Sequence, residues 1–486
     1  MRTGQRTGGG PRIALHILER VHRQTLQYYR QTGIWVNRPA WLAFPCRSAE
    51  LIGAGKAMRA SERRYNAAMD SRPGLIFILR FICFQLLLFS PMLAPQGLAA
   101  PAAQTAPDND PVLTAEQSRA IVGAAWEGVR DRFYDPQFRG VDWDAVHAQY
   151  VQRAAAVHDR DQAVALVREM IGLLHNSHSG VMTHAELDWT QNVLPFFFDR
   201  VDGRTFVSYV FERRGDGTDA GVRFGDEIVS VDGQAAARLE MPSVNWLTPV
   251  LSDPYYGAAG SAATLVVRQD GRTLTVKVKR VRRWNGIEPV FAEQYGPVGY
   301  VRLLTMGSAA IPAEMLRRAM DKVDGSGGMI LDLRECVGGD APVADGLGGI
   351  LMGTGVKLAT RVTRAGTETV EKTGDFGPVY KGRVVVLVDG QTASEPEMLT
   401  AALKEYGRVT VVGERTRGAF NGSTEGIALP DHAGILVVPI DRGISPQGKE
   451  YEGVGVTPDV AVKNSIRDFR TGRDRAMETA LRLAAH

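Results

Sequence analysis

Between residues 297 and 462, short apolar runs alternate with helix-length segments, and this alternation constrains the fold more than any other feature of the chain. Val298–Leu303, Met329–Leu333, Arg383–Asp389 and Val409–Val412 have the length and apolar content of buried strands. Helices are predicted between them, near 312–323, 341–352 and 397–406. Strand and helix in that order read as an α/β core, since each apolar sheet face needs a layer of helix over it.

The flanking segments have other periods. Thr114 followed by Gln117 forms a capping-box pattern, and Val122, Ala125, Trp126, Val129 and Phe133 fall on one helical face. Ala163, Leu166, Val167, Met170 and Leu174 repeat the spacing in a second helix, which stops at His175-Asn176-Ser177-His178. Thr205–Phe211, Glu227–Val231, Ala263–Arg268 and Thr273–Val281 are strand-like, and Asp270-Gly271 supplies a hairpin turn between the last two. The chain thus reads as multidomain α+β: a helical domain at 112–185, a β domain at 190–285, the α/β core at 286–465 and a C-terminal helix at 466–486.

Residues 75–100 form an apolar run that ends in Leu98-Ala99-Ala100, with Arg72 and Arg80 at its basic end. That is a secretory signal pattern, which implies a periplasmic or secreted protein; the alternative is an uncleaved membrane anchor. Such a segment belongs at a chain start, so the natural start is expected at Met69 or Met58, and 1–100 is a leader outside the fold. The net charge of +3 is a property of that leader, because residues 101–486 carry 43 basic against 50 acidic residues. An acidic globular part argues against nucleic acid as a partner. Cys46, Cys83 and Cys336 leave one thiol beyond the leader, so a disulfide scaffold and a cysteine metal cage are excluded.

Four places hold candidate chemistry. Ser394 lies where the run Val384–Val388 gives way to a helix, so the positive end of that helix would stabilise an oxyanion formed there. Ser394-Glu395-Pro396-Glu397 equally fits a plain capping box. Gly338 and Gly339 follow another strand in Asp332-Leu333-Arg334-Glu335-Cys336-Val337-Gly338-Gly339, where paired glycines let backbone N–H groups approach a substrate or simply make a turn. His178 has the side chain of a general base near neutral pH. His175 and His184 lie close by in sequence, but no HExxH or cysteine pattern accompanies them, so no metal and no cofactor is expected. Glu452, in a glycine-rich loop, is a carboxylate partner or a solvated charge.

Ala220–Gln234, AGVRFGDEIVSVDGQ, resembles the signature of PDZ domains, which pair a sheet edge with an extended peptide, although a plain β domain is the other reading. The order of helical unit, histidine loop, this β domain, DLR…GG, TASxxE and GVGVTPD resembles the carboxyl-terminal processing peptidases and the tricorn protease core, one serine-protease superfamily. The resemblance covers roughly 112–465 and implies a ClpP/crotonase-like α/β core. The processing-peptidase branch deprotonates its serine with a lysine in a T-x-G-K pattern, and here Thr416-Arg417-Gly418-Ala419 has Ala419 in its place. Alanine accepts no proton, so the resemblance points to the tricorn-like branch. By it Ser394 is the nucleophile, His178 its base, and Ser177 and Glu452 the supporting relay. The N–H of Glu395 with Gly338 or Gly339 would make the oxyanion hole. The implied activity is peptide-bond hydrolysis on polypeptide tails or unfolded proteins, with membrane association only through the leader. A peptide-binding protein with a dead site is the alternative. A plain esterase would use the same residues, but the chain lacks the G-x-S-x-G elbow of that fold.

Overall fold

The computed structural model describes residues 112–211, 221–239, 253–282 and 287–485, all within the unit Phe77–His486. The leader and Ala220 lie outside the described residues. Three helices come first: α1 (Ala115–Arg132), α2 (Trp143–Ala154) and α3 (Arg160–Gly172). The capping box of α1 forms as predicted, with Thr114 Oγ1 accepting the Gln117 N–H at 3.2 Å and Gln117 Oε1 accepting the Thr114 N–H at 2.9 Å. Its apolar face is buried along its length. The periodicity reading misses α2 because it buries few residues: Trp143, Val146, Tyr150 and Ala154.

These helices share their core with a hairpin from far along the chain. Ile121, Val129 and Met170 cluster with Leu429, Ala433, Leu436 and Val438, from the antiparallel strands Thr424–Leu429 and Gly434–Pro439 and the turn between them. The short strand Gly180–Met182 then joins the hairpin, Gly180 opposite Val437 and Met182 opposite Ile435. Burial of the helical face therefore fixes where the chain after α3 must run.

Among the described residues the β segment is an antiparallel sheet of six strands. Five lie side by side in sequence order, Phe196–Val201, Arg204–Val210, Glu227–Val231, Ala262–Gln269 and Arg272–Lys279, and the short Gln234–Ala235 pairs with Glu227–Val231 off that path. At the predicted turn Asp270 has φ 49° and Gly271 φ 77°, the two positive values of a type I′ hairpin.

The core sheet has six strands, also in sequence order: β1 (Val290–Tyr295), β2 (Val298–Leu303), β3 (Gly328–Asp332), β4 (Arg383–Val388), β5 (Thr410–Gly413) and β6 (Val460–Ala461). β1 is antiparallel to β2, and every later pair is parallel. The apolar runs are continuous because both faces are covered. Val301, Leu331, Val386 and Val411 face α4 (Ala313–Val323), α5 (Ala341–Met352) and α6 (Glu395–Glu405). Their neighbours Tyr300, Ile330, Val385 and Val412 face α7 (Arg475–Ala485) through Ala476, Ala480 and Ala484. The small stripe lets α7 lie so close that a Cβ on Gly328 would sit 1.9 Å from the Ala484 carbonyl oxygen. The single terminal helix expected over 466–486 is instead two, Ile466–Arg470 and α7. Gly472, at φ 67°, turns the chain between them.

A further three-stranded sheet, Glu368–Lys372, Lys357–Thr363 and Asp441–Ile444, is mostly polar and escapes pattern reading. The loops that follow β3 and β4 leave the carboxyl edge of the sheet, where parallel folds place ligands.

Candidate active site

Beyond β4, Asp389–Ala393 turn the chain into α6, and Ser394 holds the N-cap position with φ 62° and ψ −126°. A non-glycine residue at such a positive φ is strained, and that strain has to be held by its surroundings. The Ser394 N–H donates to the Ala419 carbonyl at 2.8 Å and to Glu397 Oε2 at 3.3 Å. Glu397 therefore reaches back as the capping-box reading expects. The Ser394 hydroxyl has another partner: its Oγ lies 3.3 Å from His178 Nε2. Glu397 is fully buried and also accepts from Thr416 Oγ1 at 2.5 Å and from the N–H groups of Gly418 and Ala419 at 2.7 Å each. Burial pushes its carboxyl up to about 7, opposed by these donors.

His178 arrives through the turn after α3. His175 takes φ 45°, and Asn176 Oδ1 then accepts the His178 N–H at 2.9 Å and the Ser179 hydroxyl at 3.1 Å. This fixes the backbone just before Gly180 enters its strand. The imidazole is buried, which lowers its pKa below 6.5, while the Glu452 carboxylate acts in the opposite direction. Ser177 Oγ lies 2.8 Å from His178 Nδ1 and donates to Glu452 Oε2 at 3.0 Å. Glu452 is a convergence point and not a solvated loop charge. Oε1 accepts from the Ser177 N–H at 2.9 Å and Asn176 Nδ2 at 3.3 Å, and Oε2 from the N–H groups of Phe420 at 2.9 Å and Asn421 at 3.0 Å.

Of the two glycines, Gly338 is the one beside the serine. It has φ 141°, and a Cβ there would lie 3.3 Å from Ser394 Cβ and 3.6 Å from Oγ. Gly339 instead abuts the backbone of Met306, where a Cβ would be 2.0 Å from the Met306 carbonyl carbon. Glu395 begins α6, and its buried side chain accepts from Arg361 Nη2 at 3.1 Å. Burial, with Glu371 adding to it, pushes the Glu395 carboxyl up to about 8, against the pull of Arg361.

The structure thus brings Ser394, His178, Ser177, Glu452 and Gly338 together. His175 and His184 are exposed, and among the described residues no group of three His, Cys, Asp or Glu side chains is arranged to hold a metal ion. Ala419 is fully buried, and its backbone carbonyl accepts the Ser394 N–H. The sequence reading missed Asn176, though it stands inside the histidine loop, and it saw Glu397 only as half of a cap.

Residues 297–462 match Peptidase family S41, and residues 116–172 match the Tricorn protease C1 domain. The chloroplastic C-terminal processing peptidase of Tetradesmus obliquus is 26% identical over 368 residues, covering 70% of this chain and 76% of that one. Putative tricorn protease homolog 2 of Streptomyces coelicolor is 28% identical over 395 residues, which cover 73% of this chain but only 31% of that relative. The solved photosystem II D1 C-terminal processing protease has the same fold, with a TM-score of 0.52 at 23% identity, covering 76% of this chain and 97% of that one. A match to the Tricorn protease C1 domain ahead of a match to Peptidase family S41 is thus what this chain shares with carboxyl-terminal processing and tricorn proteases.

Proposed function

We propose that the protein is a serine endopeptidase in which Ser394 attacks the scissile carbonyl and His178 is the general base. The observation that carries this reading is the 3.3 Å approach of His178 Nε2 to Ser394 Oγ. The hydroxyl of Ser177 has one proton, which it gives to Glu452 Oε2, so it accepts from His178 Nδ1–H. That leaves the Nε2 lone pair facing Ser394. In the first step Nε2 takes the Ser394 proton as Oγ bonds to the carbonyl carbon, and the oxyanion is held by the N–H groups of Gly338 and Glu395 at the start of α6. The imidazolium then protonates the leaving amine, and water releases the acyl group by the same route reversed. Ser177 and Glu452 orient the ring and stabilise its positive charge.

The substrates of this reading are polypeptide tails or unfolded proteins. The strands from Phe196 to Lys279 form a PDZ-like domain that engages an extended chain, the sheet from Val290 to Ala461 is a ClpP/crotonase-like core, and the signal-like leader sends the protein to the periplasm or out of the cell. The domain divisions at 112–185, 190–285, 286–465 and 466–486 are part of this proposal.

A fluorophosphonate probe tests the assignment directly. Covalent labelling of the native full-length protein should map to the peptide containing Ser394. No labelling, together with no hydrolysis of an unfolded protein, would leave a peptide-binding protein of the same fold. The pH profile is a second check. Catalysis needs neutral His178, whose pKa is depressed by burial, so kcat/KM should stay flat to below pH 6.5 and then fall on the acid side. An acid limb centred at pH 7 or above contradicts the assignment. Stability carries the same sign: the unfolded chain takes up this proton near 6.5 and the folded chain only at lower pH, so this contribution is lost as pH falls through that window.

A further inference from the structure

One carboxylate ties the loop of Gly338 to the loop of Ser394. Asp389, just past the end of β4, accepts through Oδ1 from the N–H groups of Gln391 at 3.0 Å and Thr392 at 2.9 Å, both on the way to Ser394. Its two oxygens also accept the Glu335 N–H at 3.1 and 3.2 Å, on the way from β3 to Gly338. Two further bonds run between the same loops. Thr392 Oγ1 donates to the Leu333 carbonyl at 2.8 Å, and the Ala393 N–H donates to the Cys336 carbonyl at 3.1 Å.

The far end of the clamp is anchored as well. Glu335 sits at φ 56°, a strained conformation for a residue with a side chain, so something must hold it. Its N–H is held by Asp389. Its carboxylate pairs with Arg302 on β2 and accepts from Ser208 Oγ, on the strand Arg204–Val210, at 2.7 Å. Neither Asp389 nor Glu335 belongs to the set Ser394, His178, Ser177 and Glu452. Their bonds instead fix the spacing between the hydroxyl and the Gly338 backbone.

We propose that Asp389 is a positioning residue, which holds the Gly338 N–H at the distance from Ser394 Oγ that the tetrahedral oxyanion requires. This rests on the reading of Ser394 as nucleophile and Gly338 as oxyanion donor. A donor set for the transition state lowers kcat when it drifts and leaves ground-state binding nearly alone, and a shift of about 1 Å can cost on the order of 10²-fold.

The test is steady-state kinetics of full-length Asp389→Ala and Asp389→Asn on an internally quenched peptide that the wild type cleaves, with Ser394→Ala as the zero and rates normalised to the folded fraction. Asp389→Ala should lower kcat by roughly 10²-fold with KM within about 3-fold. Asp389→Asn keeps an oxygen at the Oδ1 position and should recover kcat to within about 10-fold of wild type. A kcat for Asp389→Ala within about 3-fold of wild type, or a loss carried by KM, overturns the proposal while Ser394 stands. Wild type no faster than Ser394→Ala overturns the underlying reading, and the clamp with it. If Asp389→Ala does not fold, Thr392→Val takes its place, since it keeps the side-chain shape and removes the hydroxyl's bonds to the Leu333 carbonyl and to Asp389. A roughly 10-fold drop in kcat then supports the clamp, and an unchanged kcat overturns it.

Discussion

Ser394→Ala is expected to lower peptide hydrolysis by on the order of 10⁴–10⁶-fold while leaving the folded state nearly untouched. The stability half follows from the geometry. Alanine at φ 62° carries the same backbone strain as serine, and the N–H bonds to Ala419 and Glu397 do not involve the side chain. What is lost is one hydroxyl contact with His178 at 3.3 Å, a neutral bond worth about 1 kcal/mol or less. The activity half follows from the proposed reading, in which Ser394 Oγ is the atom that forms the acyl bond. His178→Ala should cost about as much, and the double variant little more than either, since nucleophile and base act as one unit. Hydrolysis rates and thermal melts of the three variants decide the matter. Residual activity within about 10²-fold of wild type in both single variants would remove Ser394 and His178 from the reaction.

Glu452 carries the second large effect. Five donors converge on its two oxygens, from Asn176, Ser177 (N–H and O–H), Phe420 and Asn421. Glu452→Gln keeps the shape but turns one acceptor into a donor. Placed at the Oε1 position, the amide group faces the Asn176 and Ser177 donors, two pairs that no longer match. It also removes the negative charge that balances imidazolium in the transition state. A drop in kcat on the order of 10²–10⁴ is expected, by analogy with the loss of the carboxylate from a Ser-His-Asp triad. Glu452→Ala should be as slow and also less stable by about 1–3 kcal/mol, because N–H groups with no acceptor are left in a partly buried loop. Comparing kcat with the urea midpoint separates the two roles. If Glu452→Gln is destabilised but turns over at the wild-type rate, Glu452 serves the loop and not the histidine.

The site's local parts were readable because each depends on neighbours a few positions away. The apolar runs became β2 to β5, the box at Thr114 and Gln117 capped α1, and Asp270-Gly271 made its turn. Glu452 was harder. Its loop offers no periodicity, and a glutamate among glycines looks the same in sequence whether it meets water or five N–H and O–H donors. Asn176 was invisible for a related reason: its value lies in three bonds, to the backbone of His178, to the Ser179 hydroxyl and to Glu452, which is 276 positions away.

By itself the sequence determined the core strands and helices and the order of the segments, which follow from side-chain chemistry and short-range periodicity. The absence of a lysine base at Ala419 was legible only through the resemblance to the processing peptidases. Only the tertiary structure decided that His178 meets Ser394 across 216 positions and that Gly338, not Gly339, lies beside it. The strand Gly180–Met182 reaches the site because the helices before it bury their apolar face on the hairpin Thr424–Pro439, and its register there is set by that packing. Such a register is chosen by the free energy of the whole buried surface, which no window of sequence contains.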